Sequence, residues 1–118
     1  MIQDFKDFEV YKRSYAAAVE MYRITRDFPK DELYGLTSQI KRASTSVPLN
    51  IAEGYGKREA LAEFKRFLHM AMGSCNEMIV LLDLCKDLGM IDEDVHNKYV
   101  KVYEELGRML TVLRQRWK

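Results

Sequence analysis

Arg42-Ala43-Ser44-Thr45-Ser46-Val47-Pro48-Leu49-Asn50-Ile51-Ala52-Glu53-Gly54 keeps helical hydrophobic spacing straight through a proline. Leu36, Ile40, Ala43, Val47 and Ile51 recur at steps of four and three, which puts them on one side of a helix. Gln39, Arg42, Ser46, Asn50 and Glu53 form a polar line beside it. Charged and amide groups so near a core face are costly unless satisfied, so the line reads either as a buried hydrogen-bonding network or as a ligand-facing groove. Pro48 is expected to sit away from the apolar line and to kink the helix by removing the hydrogen bond to residue 44. Ser44, Thr45 and Ser46 are at hand to satisfy the freed backbone groups.

Outward from this stretch the chain divides into four helical segments. Gly54-Tyr55-Gly56 supplies residues that tolerate positive φ and closes the proline-bearing helix, which begins between Asp31 and Leu36. Upstream, Phe28-Pro29 breaks the pattern and ends a first helix that starts near Phe5. That first helix is apolar on two sides: Phe8, Tyr11, Tyr15, Ala18, Val19 and Tyr22 form one line, Val10, Ala17, Met21 and Ile24 another. Two apolar faces need two partners, and a monomeric bundle supplies one, so Val10, Ala17, Met21 and Ile24 are assigned to an oligomer interface. Downstream, Phe64, Leu68, Ala71, Cys75, Met78, Ile79 and Leu82 mark a third helix, in which Ser74 and Glu77 are natural partners for the polar line. Gly89 ends it. Asp92, Glu93 and Asp94 start a fourth, with Val95, Tyr99, Val102, Leu106, Met109, Leu113 and Trp117 in register. Short connections between long amphipathic helices give an all-α, antiparallel up-down-up-down four-helix bundle, one domain over residues 1–118, with helices near 5–26, 34–54, 59–88 and 92–117.

Composition agrees with one ordinary globular domain: 118 residues, 47% hydrophobic and 31% charged, with only two prolines and six glycines. The 19 basic residues against 18 acidic ones leave a net charge of +1, which excludes nucleic-acid binding by bulk charge and leaves only local placement. Cys75 and Cys85 lie about 15 Å apart along one helix, cannot bridge within it, and read as reduced core thiols. No stretch matches a membrane span or a leader segment, so the expected location is the cytoplasm and no membrane partner is expected.

The motifs Phe28-Pro29, Glu32-Leu33-Tyr34-Gly35-Leu36, Gln39, Arg42-Ala43, Ser46-Val47-Pro48-Leu49-Asn50-Ile51-Ala52-Glu53-Gly54, Phe64-Lys65-Arg66-Phe67-Leu68 and Gly73-Ser74 with Glu77 together resemble one family. It is that of the bacterial 23S rRNA intervening sequence proteins, first recognised as reading frames inside insertions in large-subunit rRNA genes. Lys41 departs from the pattern, which favours arginine there. The resemblance implies a left-handed bundle that assembles into a homo-oligomer, a five-fold ring, with no catalytic activity. The fold is also similar to that of the accessory variability determinant proteins of diversity-generating retroelements, pentamers that work with a reverse transcriptase and RNA.

Catalytic readings find little support in the residues. Glu93-x-x-His96 has the spacing of half a di-iron carboxylate site, but the second half is missing. His69 and Cys75, six apart, fall on different helix faces and lack an orienting third group. No cofactor, metal or enzymatic activity is therefore expected. The line Gln39, Arg42, Ser46, Asn50 and Glu53, joined by Ser74 and Glu77, is assigned to a structural network, with a ligand or nucleic-acid groove as the alternative. Lys41, Lys57, Arg58, Lys65 and Arg66 are the candidate phosphate contacts, with Tyr55 as a base-stacking ring; their bland reading is a solvated face. Arg108, Arg114, Arg116 and Lys118 add to the basic set. A ring would gather such modest charge into a belt. The sequence is thus read as a non-enzymatic homo-oligomeric scaffold for structured RNA or a ribonucleoprotein such as a reverse transcriptase complex, with a protein-only adaptor as the alternative.

Overall fold

A computed structural model describes residues Met1–Lys118. Four helices follow one another, α1 (Glu9–Thr25), α2 (Leu36–Gly56), α3 (Leu61–Asp87) and α4 (Glu93–Arg116), with single 3-10 turns at Phe5–Asp7 and Lys30–Glu32 and no strand. α2 packs between α1 and α3, and α3 packs between α2 and α4, as in an up-down-up-down bundle. α1 and α4 meet least closely of the neighbouring pairs, and two clefts of about 430 and 600 Å³ run along their seam. Arg13 and Glu105 form the one ion pair across it.

The helix ends follow local chemistry. The Asp7 carboxylate accepts the Gln3 and Asp4 N–H groups at 2.8 and 3.0 Å, and these bonds hold it below the usual carboxylate range. That turn occupies the segment where a first helix was expected, and an extended Phe8 (ψ 128°) delays α1 to Glu9 while sending the Phe8 ring inward. At the other end of the sequence of helices, Asp92 caps α4 by accepting the Val95 N–H at 2.8 Å. α3 stops in a Schellman motif: Gly89 adopts φ +77°, its N–H reaches the Lys86 carbonyl, and the Met90 N–H reaches the Cys85 carbonyl at 2.8 Å.

α2 runs unbroken through Pro48. Pro48 is off the Leu36–Ile51 line but buried on the side facing α1, and, contrary to expectation, the Ser44 and Thr45 hydroxyls bond back to the Lys41 carbonyl at 3.3 and 2.7 Å rather than to the group freed by the ring. Gly54 also differs from its reading as a stop with positive φ. It is helical and buried, and α2 passes so close to α3 there that a Cβ on it would lie 2.6 Å from the Phe67 Cβ. Its role is close helix approach.

The core is one cluster drawn from all four helices, including Met21, Ile40, Val47, Ile51, Leu68, Met78, Leu82, Tyr103 and Leu106. α3 is long and apolar enough by length and composition to cross a membrane, but nine of its residues are buried inside the bundle. At one end of the bundle Trp117 meets Phe64, Phe8 and Tyr55 edge-on, with ring centroids 4.9, 5.7 and 6.4 Å away. The start of α1, the end of α2, the start of α3 and the end of α4 thus converge there.

The orientation of α1 corrects the interface assignment. Val10, Ala17 and Met21 are buried within the protomer and Ile24 packs against the same core, so these residues are not an assembly surface. The other line divides: Phe8 and Ala18 are buried as well and Tyr11 is half-buried, while Tyr15 is 57% exposed, Tyr22 42% and Val19 36%. Hydroxyl bookkeeping explains the choice. With Val10, Ala17 and Met21 inward, the buried polar neighbours are Ser14 and Thr25, which satisfy themselves on the Tyr11 and Tyr22 carbonyls at 3.0 and 3.2 Å. Turning the tyrosines inward would bring in phenol groups that each need a partner.

Candidate nucleic-acid and assembly surfaces

The polar line lies over the seam between α2 and α3, and only its short members form a network. Ser46 and Ser74 hydroxyls share a hydrogen bond of 2.8 Å, and Asn50 Nδ2 donates to the Ser46 carbonyl and hydroxyl at 2.8 and 2.9 Å. Gln39, Arg42, Glu53 and Glu77 are exposed and outside it. Glu53 reaches only Lys57, at 3.9 Å; Arg42 and Glu77 have no ion-pair partner. The expected buried network therefore reduces to Ser46, Asn50 and Ser74. Helices pressed together by Ala43, Val47 and Gly54 leave room at their seam for small hydroxyls, and the longer side chains turn to water.

The turn from α2 to α3 gathers the basic residues. Lys57 Nζ lies 4.9 Å and the Arg66 guanidinium 4.6 Å from the Phe67 ring centre, while the Arg58 guanidinium covers the Tyr55 ring at 4.0 Å. Arg58 also donates to the Tyr55 carbonyl at 2.9 Å. Arg66 donates to Glu63 at 2.8 Å; the pair holds the Glu63 carboxyl below its ordinary range and raises Arg66. Lys65 is half-buried beside them. The Trp117 contacts bring the segment carrying Arg114, Arg116 and Lys118 to the same end of the bundle.

Two members of the sequence-derived set do not belong. Tyr55 is 8% exposed, enclosed by Phe8, Phe64, Trp117 and the Arg58 guanidinium, so its ring offers no face to a base. Lys41 stands about 24 Å from Lys57 along α2, given the helical rise, with its ammonium 5.0 Å over Tyr22. That contact sets it at the edge of a second surface, a groove of about 620 Å³ between α1 and α2 lined by Tyr11, Tyr15, Val19, Tyr22, Pro48 and Leu49. Leu49, 65% exposed, projects from the α2 wall. Its exposure was not foreseen, although its offset from the Val47–Ile51 line was a usable signal.

The 23S rRNA-intervening sequence protein profile matches residues 6–112. The chain belongs to this family. A crystal structure of a protein of unknown function from the S23 ribosomal protein family of Bacteroides thetaiotaomicron shares the fold, with a TM-score of 0.81 at 21% identity over 90% of this chain and 95% of that one. No curated protein matches the sequence.

In this family member the reactive side chains are scattered. His96 Nε2 lies 2.6 Å from Asp83 Oδ1 on α3, which ties α3 to α4 and turns the imidazole from the Glu93-x-x-His96 reading. No three His, Cys, Asp or Glu side chains converge as a metal-binding group. Cys75 and Cys85 are buried, and desolvation pushes their thiols up to about 12 and about 11, so they stay neutral. His69 is exposed, apart from the buried Cys75.

Proposed function

We propose that this protein is a non-enzymatic, cytoplasmic homo-oligomeric scaffold that binds structured RNA, alone or within a ribonucleoprotein, through the basic end of its bundle. The observation that carries the reading is the cluster of Lys57, Arg58 and Arg66 braced on Phe67 and Tyr55. Aromatic faces hold the three cations at one place in a chain whose overall charge is nearly neutral. Such cations are already ordered when phosphate arrives, Lys57 and Arg66 exchanging their carboxylate partners Glu53 and Glu63 for it. Arg114, Arg116 and Lys118 extend the surface. Assembly is assigned to the outward tyrosine face of α1 with Leu49, because a groove this apolar is unusual on a surface that stays wet. A closed ring of five copies would repeat the basic end around its rim and raise affinity through multivalency.

A labelled stem-loop RNA, titrated at several salt concentrations, tests the reading. Binding is expected to weaken steeply with salt, and Lys57→Glu, Arg58→Glu and Arg66→Glu together are expected to lower the log–log salt slope by about 2 to 3, near one unit per lost phosphate contact. Absence of binding at low salt overturns the RNA reading and leaves the protein-only adaptor, which the tyrosine groove favours.

A further inference from the structure

The groove between α1 and α2 has a counterpart on the same chain. Val80, Leu84 and Leu88 are spaced by four along α3 and its cap and are 58%, 44% and 62% exposed, forming an apolar ridge with no partner inside the protomer. The two surfaces carry opposite charges. Arg23 and Arg26 line the groove and the Lys41 ammonium stands over Tyr22, whereas exposed Glu77 and Asp87 flank the ridge. Arg26, Lys41, Glu77 and Asp87 take part in none of the six ion pairs of the protomer. An unpaired basic rim and an unpaired acidic flank, each beside exposed apolar surface, are complementary halves of one contact.

We infer that the ridge Val80, Leu84 and Leu88 of one copy seats in the tyrosine groove of a second copy, with Glu77 and Asp87 facing Arg26 and Lys41. This rests on the self-assembly reading above and specifies its geometry. Groove against groove would bring two basic rims together, so a two-fold symmetric contact through that face is disfavoured. Groove against ridge uses different patches on the two partners, which makes the interface head-to-tail. Each copy then offers one donor and one acceptor surface, so copies add in series, as the ring proposed above requires.

The test mixes two variants of the full chain, each disabled on one side. Val80→Glu with Leu84→Glu removes the ridge; Tyr15→Glu with Leu49→Glu removes the groove. All four positions are exposed, and circular dichroism melts confirm folding. By light scattering, wild type is expected to be an oligomer, each variant alone a monomer, and the equimolar mixture a dimer and nothing larger, because one intact ridge and one intact groove remain. A ridge variant that keeps the wild-type mass, or a mixture that stays monomeric, overturns the inference while leaving self-assembly standing. A monomeric wild type overturns both.

Discussion

Replacing Gly54 by alanine sets two known effects against each other at one atom. Alanine is favoured over glycine inside a helix by about 1 kcal/mol, so on propensity alone the variant gains stability. The new Cβ, however, would lie 2.6 Å from the Phe67 Cβ, 3.1 Å from Phe64 Cδ1 and 3.4 Å from the Phe64 carbonyl oxygen. Carbon atoms pack at roughly 3.5–4.0 Å, so the closest contact is short by about 1 Å. Phe67 Cβ is bonded to the α3 backbone, and no rotamer moves it away. α2 and α3 must separate instead, which loosens Ile51, Phe64 and Leu68, all fully buried. Overpacking of this kind costs about 3 kcal/mol at the upper end of its usual range, and subtracting the propensity gain leaves a loss of about 2 kcal/mol. With an unfolding entropy near 2.1 cal/mol/K per residue, about 250 cal/mol/K for the chain, Tm falls by about 8 °C. Thermal melts at one fixed protomer concentration measure it. Gly73→Ala is the control, since nothing lies within 4 Å of its Cβ, and its Tm should rise by about 4 °C. A Gly54→Ala protein that melts at or above wild type refutes the steric argument.

Arg42→Ala is expected to leave stability within about 0.5 kcal/mol, because the exposed guanidinium has no ion-pair partner; a loss of several kcal/mol in urea melts would restore the buried network. The Tyr103 hydroxyl is buried without a hydrogen-bond partner, so Tyr103→Phe should raise the urea midpoint, by about 1 kcal/mol or more in stability, and a lower midpoint counts against this. Alkali should destabilise the fold from about pH 9 upward. Below that pH both folded and unfolded chains hold the Cys75 proton; above it the unfolded thiol ionises while the buried one, pushed up to about 12, keeps its proton. Stability then falls by about 1.4 kcal/mol per pH unit for this group until its folded value is reached, and burial of Tyr103 adds to the loss in the same direction. Cys75→Ala should flatten the slope by that amount, and equal slopes in the two proteins would exclude Cys75 as the source.

The periodic core positions made the four helices legible, because burial of Ile40, Val47 and Ile51 or of Phe64, Leu68 and Cys75 demands one face and one period. The family was legible for a related reason: its motifs run from the α1–α2 connection along both sides of the seam between α2 and α3. Rotation of α1 was not. Tyrosine is apolar in body and polar at its tip, so two apolar lines competed, and the decision rested on hydroxyl partners that only the packed structure supplies. The polar line failed similarly, since a stripe beside the core can tip inward or outward by a few tens of degrees. Gly54 carried a turn signal in sequence, yet its missing side chain serves helix contact. Of the candidate basic residues, Lys57, Arg58, Lys65 and Arg66 cluster because they are near in sequence, while Lys41 and Tyr55 depended on distance and enclosure.

The thin seam between α1 and α4 gives the bundle an order of opening. A helix leaves the native state at a cost set by the contacts it surrenders, and α1 surrenders essentially one flank, that with α2, plus the Phe8 ring at its start. The α2–α3 pair and the α3–α4 pair would stay docked while the second half of α1 swings out. Amide hydrogens around Ala16 to Ile24 would then exchange through this partial opening, on a clock separate from the global one that governs α3.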